Sequence, residues 1–232
     1  MKNENEIAIQ KLNDIDIPYE TKRQILKDLS KPYFEMFLYY ECAIKEVETK
    51  LEILDKEYSM DSELNPIDSI KSRVKSLESI IDKLIKKNAP FSIESIEKNV
   101  RDIAGLRVIC NFPEDVYKIR NGLLKQDDVT LIEEKDYIKN PKENGYRSLH
   151  LIIETPIYLS TGKKLMKVEV QIRTIAENFW ASLEHQIHYK KNINYDKDII
   201  DDLKKVAEDS AKLDLKMQQL KKRIYDVTEK ED

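Results

Sequence analysis

In the centre of this chain the apolar residues change from a helical spacing to the short runs typical of β-strands. This change limits the possible folds more than any other feature of the sequence. Four short apolar runs with the composition and length of strands follow one another there, at residues 106–110, 129–133, 148–154 and 165–173. A helical segment at residues 113–126 separates the first two runs. Helices are also predicted on both sides of the four runs. We therefore expect an α+β fold in which a β-sheet is flanked by helices.

Two helices are predicted before the strands. Residues 20–60 form the first, with a break near Pro32, because proline removes a backbone donor and crowds the preceding turn. A second helix is predicted after Pro66, where apolar residues recur at spacings of four and three. These residues are Ile70, Val74, Leu77, Ile81 and Leu84. On the opposite side of this predicted helix stand Lys75, Lys83 and Lys86, which taken alone are typical of a solvated basic face.

The second half of the chain carries clear turn and cap signals. Residues 160–162, Ser-Thr-Gly, predict a hairpin turn between the last two strands. Thr174 and Glu177 have the spacing of a capping box, which opens a helix to about residue 190. Another helix is predicted over residues 198–227. We divide the chain into an N-terminal helical extension, a central domain and a C-terminal oligomerisation helix, at residues 1–65, 66–190 and 191–232.

Composition excludes several classes of site. The chain has two cysteines, far apart, so neither a disulfide framework nor a zinc site is expected. Its four glycines are isolated and form neither of the common glycine-rich phosphate loops. No apolar run approaches the roughly 18 residues of a membrane helix, and the N-terminus does not resemble a secretory signal. We expect a cytoplasmic protein without a membrane partner.

One predicted strand gathers polar side chains on a single face. Across residues 168–173, valine and isoleucine alternate with Glu169, Gln171 and Arg173, so these three share the other side of the sheet. Asp102 stands just before the first strand. Two carboxylates on one sheet suit Mg²⁺, which takes its remaining ligands from phosphate and water. The chain has 44 acidic residues, so this pair alone indicates only a candidate site.

Several longer motifs occur in order along the centre of the chain. They are RDIAGLR at 101–107, DYIKNPK at 136–142, NGYRSLH at 144–150, VEVQIRT at 168–174, NFWA at 178–181 and EH at 184–185. Together they resemble the synthetase domain of RelA/SpoT-type enzymes, and most of all its small single-domain members of the RelQ type, the small alarmone synthetases. The resemblance runs from about Pro66 to Tyr189. It implies a mixed sheet distantly akin to nucleotidyltransferases.

The resemblance also implies a reaction and a set of site residues. The family transfers the β,γ-pyrophosphate of ATP to the ribose 3′-oxygen of GDP or GTP, which makes guanosine 3′-pyrophosphate alarmones and releases AMP. Asp102 and Glu169 match its Mg²⁺ ligands, and Glu169 also its candidate general base. Arg73 and Arg107 match the pair that sandwiches adenine. The residues that match the ATP-phosphate cations are Lys75, Lys83 and Lys86. Those that match the acceptor site are Lys135, Lys142, Tyr146, His150, Gln171 and Asn178.

The resemblance leaves two alternative functions open and also implies binding partners. A related enzyme that pyrophosphorylates the 3′ end of tRNA and a non-catalytic regulator that binds guanine nucleotides or RNA both stay open. The net charge of −4 disfavours the first, and retention of both carboxylates disfavours the second. With three histidines and no His-Asp pair, the chain is expected to be a synthetase without hydrolase activity. Expected partners are ATP, a guanine nucleotide (GDP, GTP or GMP) and further copies of the chain, as a tetramer. RNA is a candidate regulator and not a requirement.

Overall fold

A computed structural model describes residues 18–60, 65–189 and 197–228. The chain divides into two compact units, residues 1–39 and 40–232. Helix α1, Tyr19–Met60, supplies the described part of the first unit and continues into the second. All the strands and the other helices belong to the second unit. Within the described ranges, no helix is both long and apolar enough to cross a membrane.

The described part of the chain forms a sheet of five strands in the spatial order β1-β2-β5-β4-β3. Their bounds are β1 Ile67–Val74, β2 Ala104–Cys110, β3 Thr130–Asp136, β4 Leu149–Leu159 and β5 Gly162–Thr174. Strand β2 runs parallel to β5, and the three other pairings are antiparallel. The predicted α+β fold with a mixed sheet is therefore confirmed. The predicted hairpin is present as well, since Leu159 pairs with Gly162 across a two-residue turn.

Five further helices are found in the described ranges, and they flank the sheet. They are α2 Leu77–Lys86, α3 Ile93–Asn99, α4 Pro113–Leu124, α5 Ile175–Tyr189 and α6 Lys197–Thr228. The capping box predicted at the start of α5 is present: Oγ1 of Thr174 accepts from the backbone N–H of Glu177 at 3.1 Å, and Oε2 of Glu177 accepts from the backbone N–H of Thr174 at 2.9 Å. The cap fixes the direction in which α5 leaves the end of β5.

The core lies on the apolar face of the central strands. Val168, Val170 and Ile172 of β5 are fully buried, as the alternation of this strand predicts. Burying one such side chain contributes about 1.5–3 kcal/mol. Helix α4 packs on this side of the sheet against β5 and β2. The opposite face of β5 is thereby left for polar residues.

Two predicted helix boundaries were wrong. Residues 67–74 form the edge strand β1 and not the start of a helix, and only residues 77–86 are helical. The spacing of four between Ile70 and Val74 fits one face of a helix, but four is also a multiple of the strand period of two. The predicted break at Pro32 is also absent, because α1 continues through it. Proline removes one backbone donor, and a long helix can tolerate that local loss.

Candidate active site

Asp102 and Glu169 are brought together by the parallel pairing of β2 and β5. Glu169 lies opposite Gly105 in the register, and Asp102 precedes β2 by two residues. Both carboxylates line two clefts, one of about 140 Å³ and one of about 320 Å³. We call them the arginine cleft and the histidine cleft. The two acids therefore stand where the clefts meet.

The arginine cleft lies over β1 and β2. Arg73 pairs with Gly105 across these antiparallel strands, and Arg107 lies two residues further along β2. Gly105 has no side chain to fill the space between them. The buried Nε of Arg107 has no hydrogen-bond partner among the described residues. The described residues that line this cleft are Lys71, Ser72, Arg73, Asp102, Gly105, Leu106, Arg107, Glu169 and Gln171. Two guanidinium planes beside an open floor suit a flat aromatic ligand.

The histidine cleft lies over the other half of the sheet. His150 of β4 pairs with Gln171 of β5 on one side and with Lys135 of β3 on the other. This register puts side chains from three neighbouring strands on one wall. Among the residues that the structure describes, those lining this cleft are Lys83, Lys87, Asn99, Arg101, Asp102, Glu133, Lys135, Tyr137, Lys142, His150, Ile152 and Glu169. Five of these residues are lysine or arginine, so the cleft can bind a polyanion.

Asp102 is held by two lysines. Nζ of Lys75 lies 3.0 Å from Oδ2 of Asp102, and Nζ of Lys83 lies 2.5 Å from the same atom. Burial alone raises the pKa of Asp102, but the hydrogen bonds and charges of Lys83 and Lys75 outweigh it and lower the pKa. The group is therefore ionised near neutral pH. Lys86, by contrast, is exposed in the last turn of α2 and lines neither cleft.

Glu169 is ionised as well, in a polar setting of its own. Nε2 of Gln171 donates to Oε2 of Glu169 at 2.9 Å, and Nδ1 of His150 lies 3.6 Å from Oε1. Burial raises the pKa of Glu169, and the nearby Asp102 raises it too, yet His150 and Gln171 lower it below its ordinary value. An ionised carboxylate of this kind can accept a proton or ligate a cation.

Aromatic side chains line or adjoin the far end of the histidine cleft. Tyr137 is in the wall, and Tyr146 packs behind it with the ring centroids 6.1 Å apart. Nζ of Lys142 lies 4.8 Å from the Tyr137 ring centroid and 5.0 Å from that of Tyr146. Asn178, on α5, has a buried Oδ1 without a hydrogen-bond partner in the described part of the chain. An unsatisfied buried acceptor is costly unless a ligand supplies the donor.

Helix α6 supports this end of the site from outside. Nε1 of Trp180 donates to the backbone carbonyl of Leu203 at 2.9 Å. Trp180 and Ala207 belong to a small buried cluster against which Tyr146 also packs. A Cβ added to Gly145, the residue before Tyr146, would lie 2.6 Å from Cβ of Ala207. The close approach of α6 therefore requires glycine at position 145.

The predicted site residues fall into clear groups. The arginine cleft takes Arg73, Arg107 and Gln171, the histidine cleft takes Lys83, Lys135, Lys142 and His150, and both share Asp102 and Glu169. Lys75 lines neither cleft but forms an ion pair with Asp102. Tyr146 likewise contacts a lining residue, because its Oη lies 2.9 Å from Nε2 of His150.

Several residues that line the clefts are not among the predicted site residues. Glu133 and Tyr137 are examples, and both alternate with Lys135 along or just beyond β3. That period of two was a usable signal. The other lining residues that were not predicted as site residues are Lys71, Ser72, Lys87, Asn99, Arg101, Gly105, Leu106 and Ile152.

Two carboxylates fit a magnesium ion only if the ligand supplies further oxygens. Within the described ranges, no group of three or more His, Cys, Asp or Glu side chains is arranged to hold a metal. Asp102 and Glu169 are both ionised oxygen donors that face the same clefts. Mg²⁺ is ordinarily bound by one or two carboxylates together with substrate phosphates and water. The residues present therefore fit Mg²⁺ bound with a polyphosphate.

The sequence of the chain is similar to those of known proteins. The region found in RelA / SpoT proteins matches residues 72–194 of the chain. A GTP pyrophosphokinase of Bacillus subtilis, YwaC, is 44% identical over 199 residues, which cover 86% of this chain and 95% of that protein.

Solved structures resemble the fold as well. The small alarmone synthetase 1 of B. subtilis bound to its product pppGpp matches with a TM-score of 0.76 and 34% identity, over 84% of this chain and 99% of that one. The same synthetase bound to AMPCPP matches with a TM-score of 0.70 and 32% identity, over the same shares of the two chains.

Proposed function

The chain belongs to the family of RelA/SpoT proteins, and we propose that it is a small alarmone synthetase, a GTP pyrophosphokinase without hydrolase activity. Its reaction transfers the β,γ-pyrophosphate of ATP to the 3′-hydroxyl of GDP or GTP and releases AMP. Relatives named as GTP pyrophosphokinases, and a relative solved with pppGpp, support this reaction.

The arginine cleft is the proposed ATP site. Arg73 and Arg107 stack on the two faces of adenine, and Lys75, Lys83 and Lys86 contact the phosphates. Lys83 lines the histidine cleft and pairs with Asp102, which borders both clefts, so its ammonium group can contact phosphates that extend from the arginine cleft towards the acceptor. A relative solved with the ATP analogue AMPCPP supports a donor site in this fold.

The histidine cleft is the proposed acceptor site. Its lysines, Lys135 and Lys142, suit the nucleotide phosphates. His150 suits the ribose together with Gln171, which lines the adjoining arginine cleft and pairs with His150 across β4 and β5. Tyr146 stacks on guanine, and the unsatisfied Oδ1 of Asn178 accepts from the base edge. The cleft volume of about 320 Å³ suits a nucleotide-sized ligand.

The observation that carries the proposal is the shared position of the two acids. Because Asp102 and Glu169 border both clefts, a donor phosphate and an acceptor hydroxyl meet beside them. The 3′-oxygen attacks the β-phosphorus and forms the new bond. The bond from this phosphorus to the oxygen bridging it to the α-phosphorus breaks, and AMP leaves with that oxygen. Glu169 accepts the proton of the hydroxyl.

Magnesium is the proposed cofactor, held by Asp102 and Glu169. When bound, it neutralises charge on the transferring phosphates and so favours attack by an oxygen nucleophile. Lys75 and Lys83, which pair with Asp102, keep that carboxylate ionised and in place. His150 and Gln171 do the same for Glu169.

Product analysis tests the proposed function. Purified protein with Mg²⁺, ATP and GMP, GDP or GTP is expected to give AMP and a nucleotide pyrophosphorylated on its 3′-hydroxyl. With ATP labelled separately at the α- and γ-phosphorus, the γ-label should move to the acceptor and the α-label should stay in AMP. Formation of ADP or inorganic phosphate in place of AMP would contradict pyrophosphate transfer.

Self-association through the terminal helices is proposed as well, as a cytoplasmic tetramer. In this assembly the helices of residues 1–65 and 191–232 contact other copies of the chain, and residues 66–190 form the synthetase domain. Helix α6 exposes a stripe of apolar side chains, each at least 45% accessible: Ile199, Val206, Leu213, Met217 and Leu220. Such a stripe favours burial against another helix. Light scattering should report about four times the mass of 27.4 kDa, and a monodisperse monomer at micromolar concentration would contradict assembly.

A further inference from the structure

Asp102 has two cationic partners on a single oxygen atom. Nζ of Lys75 lies 3.0 Å from its Oδ2, and Nζ of Lys83 lies 2.5 Å from the same atom. Asp102 also borders both clefts, so a ligand in either cleft can reach the carboxylate that is proposed to bind Mg²⁺. One carboxylate cannot give close contact to two ammonium groups and a metal ion together, because three like charges would then lie side by side.

The charges around the two acids cancel. Asp102 and Glu169 contribute two negative charges, and Lys75 and Lys83, the partners of Asp102, contribute two positive charges. A free dication would therefore meet no net attraction and would be repelled by the ammonium groups. A nucleotide polyphosphate changes this balance, because its oxygens supply both negative charge and further metal ligands. The charge balance therefore favours a metal that enters together with the nucleotide.

Lys83 is the partner of Asp102 that is free to leave. Its side chain is 41% exposed and lines the histidine cleft, whereas that of Lys75 is 13% exposed. The backbone N–H of Lys75 donates to the carbonyl of Ile103 at 2.8 Å, which fixes Lys75 beside the start of β2. Helix α2 is anchored by the buried Ile80 and Leu84, so only the long side chain of Lys83 has to move.

We propose that Lys83 is an exchangeable counter-ion of Asp102. Its ammonium group excludes free Mg²⁺ from the carboxylate and moves to the donor's phosphates when ATP binds with Mg²⁺. Lys75 stays beside Asp102, so the departure of Lys83 leaves one net negative charge on this group and Glu169. The proposal rests on the proposed function and adds an order of events to it, in which Mg²⁺ does not bind before the donor.

Metal binding in the absence of turnover tests this exchange. Mn²⁺ accepts the same oxygen ligands as Mg²⁺ and can be followed by electron paramagnetic resonance. In Lys83→Met, the dissociation constant of Mn²⁺ without nucleotide should fall by about tenfold or more, because one positive charge beside Asp102 is lost. The affinity of the same variant for AMPCPP with Mg²⁺, measured by calorimetry, should instead weaken by about tenfold. A merely structural role for Lys83 would not strengthen metal binding.

Two further variants make the test specific. Lys87 lines the same cleft as Lys83, but its Nζ donates to the carbonyl of Asn99 at 2.7 Å. Lys87→Met should therefore change the Mn²⁺ affinity by less than about threefold, as expected for a screened charge that does not contact the acid. The double variant Lys83→Met/Asp102→Asn should lose the gain in Mn²⁺ affinity, because the carboxylate that Lys83 releases has been removed.

Several results would overturn the exchange. They are an unchanged Mn²⁺ affinity in Lys83→Met, an equal gain in Lys87→Met, and a gain that persists without the Asp102 carboxylate. Wild-type protein that binds Mn²⁺ as tightly without AMPCPP as with it would overturn the exchange too, whatever the variants do. Formation of AMP and the 3′-pyrophosphorylated product would still leave the proposed function standing. Conversely, the expected Mn²⁺ pattern without pyrophosphate transfer would support the exchange and contradict the proposed function alone.

Discussion

Oη of Tyr146 and Nε2 of His150 lie 2.9 Å apart. The other ring nitrogen of His150 faces Glu169, so the tyrosine hydroxyl is connected through one imidazole to the proposed base. With a proton on Nδ1, His150 points a donor at Glu169 and leaves Nε2 to accept from the tyrosine. Tyr146 is therefore placed both to stack on a base and to orient a residue beside the reacting hydroxyl.

The two contributions of Tyr146 are separable by mutation. Tyr146→Ala removes the ring and should raise the acceptor KM by about 5- to 100-fold with little change in base preference, as lost stacking predicts. Tyr146→Phe keeps the ring and removes the hydroxyl, so the acceptor KM should stay close to wild type while kcat falls. Steady-state kinetics with GDP and ATP measure both. Unchanged KM in Tyr146→Ala would show that guanine binds elsewhere.

Lys83 should contribute more than Lys86 to kcat/KM for ATP. Lys83 is bound to Asp102 in the histidine cleft, whereas Lys86 is exposed one turn further along α2. Lys83→Met is expected to reduce kcat/KM for ATP by at least tenfold, because a phosphate cation and a partner of Asp102 are lost together. Lys86→Met should reduce it less. Kinetics with varied ATP test the order, and an equal or larger loss for Lys86→Met would contradict the arrangement.

Gly145 and Gly162 form a matched pair for testing the contact with α6. Both have positive φ, 90° and 124°, so alanine strains either backbone by about 1–2 kcal/mol. A Cβ at Gly145 would also collide with Ala207, whereas a Cβ at Gly162 meets nothing within 4 Å. Gly145→Ala should therefore lower the thermal midpoint more and raise the acceptor KM through Tyr146. Equal midpoints, with wild-type KM in both, would contradict the proposed support.

Glu177 should make the fold less stable as pH rises. Burial raises its pKa from 4.5 to about 7, and Asp214 adds to the rise. Between these values the folded state binds a proton that the unfolded state has lost, so the free energy of unfolding falls from about pH 4.5 to pH 7. The loss is on the order of 3 kcal/mol. Urea denaturation at several pH values should show a shallower slope for Glu177→Gln, with Asp214 responsible for the remainder. Equal slopes would mean that Glu177 is not protonated in the fold.

The fold could be predicted where the spacing of apolar residues fits only one kind of secondary structure. The strict alternation of Val168, Val170 and Ile172 located β5 and its polar face, and the spacing of Thr174 and Glu177 located the start of α5. The edge strand β1 was missed because its apolar spacing also fits a helix. Sequence alone gives no exposure, so Arg173 was placed on a wet face that the structure shows to be closed.

Sequence motifs identified many residues of the candidate site, but they did not predict how these residues are arranged in space. Asp102 and Glu169 follow from motifs, but their shared border between two clefts follows only from the parallel pairing of β2 and β5, which joins segments distant in sequence. The unsatisfied atoms of Asn178 and Arg173 likewise depend on packing around them. Such features are properties of the folded chain and have no sequence period.

Glu169→Gln tests the central claim, that chemistry occurs where the two clefts meet. The change is nearly isosteric and removes both proton acceptance and one charged metal ligand. Turnover with Mg²⁺, ATP and GDP should fall by more than ~10³-fold. ATP affinity, measured by calorimetry on the same protein, should change by less than about tenfold, since Arg73, Arg107 and the lysines are untouched. Turnover within tenfold of wild type, in a variant with an unaltered circular dichroism spectrum, would contradict the account.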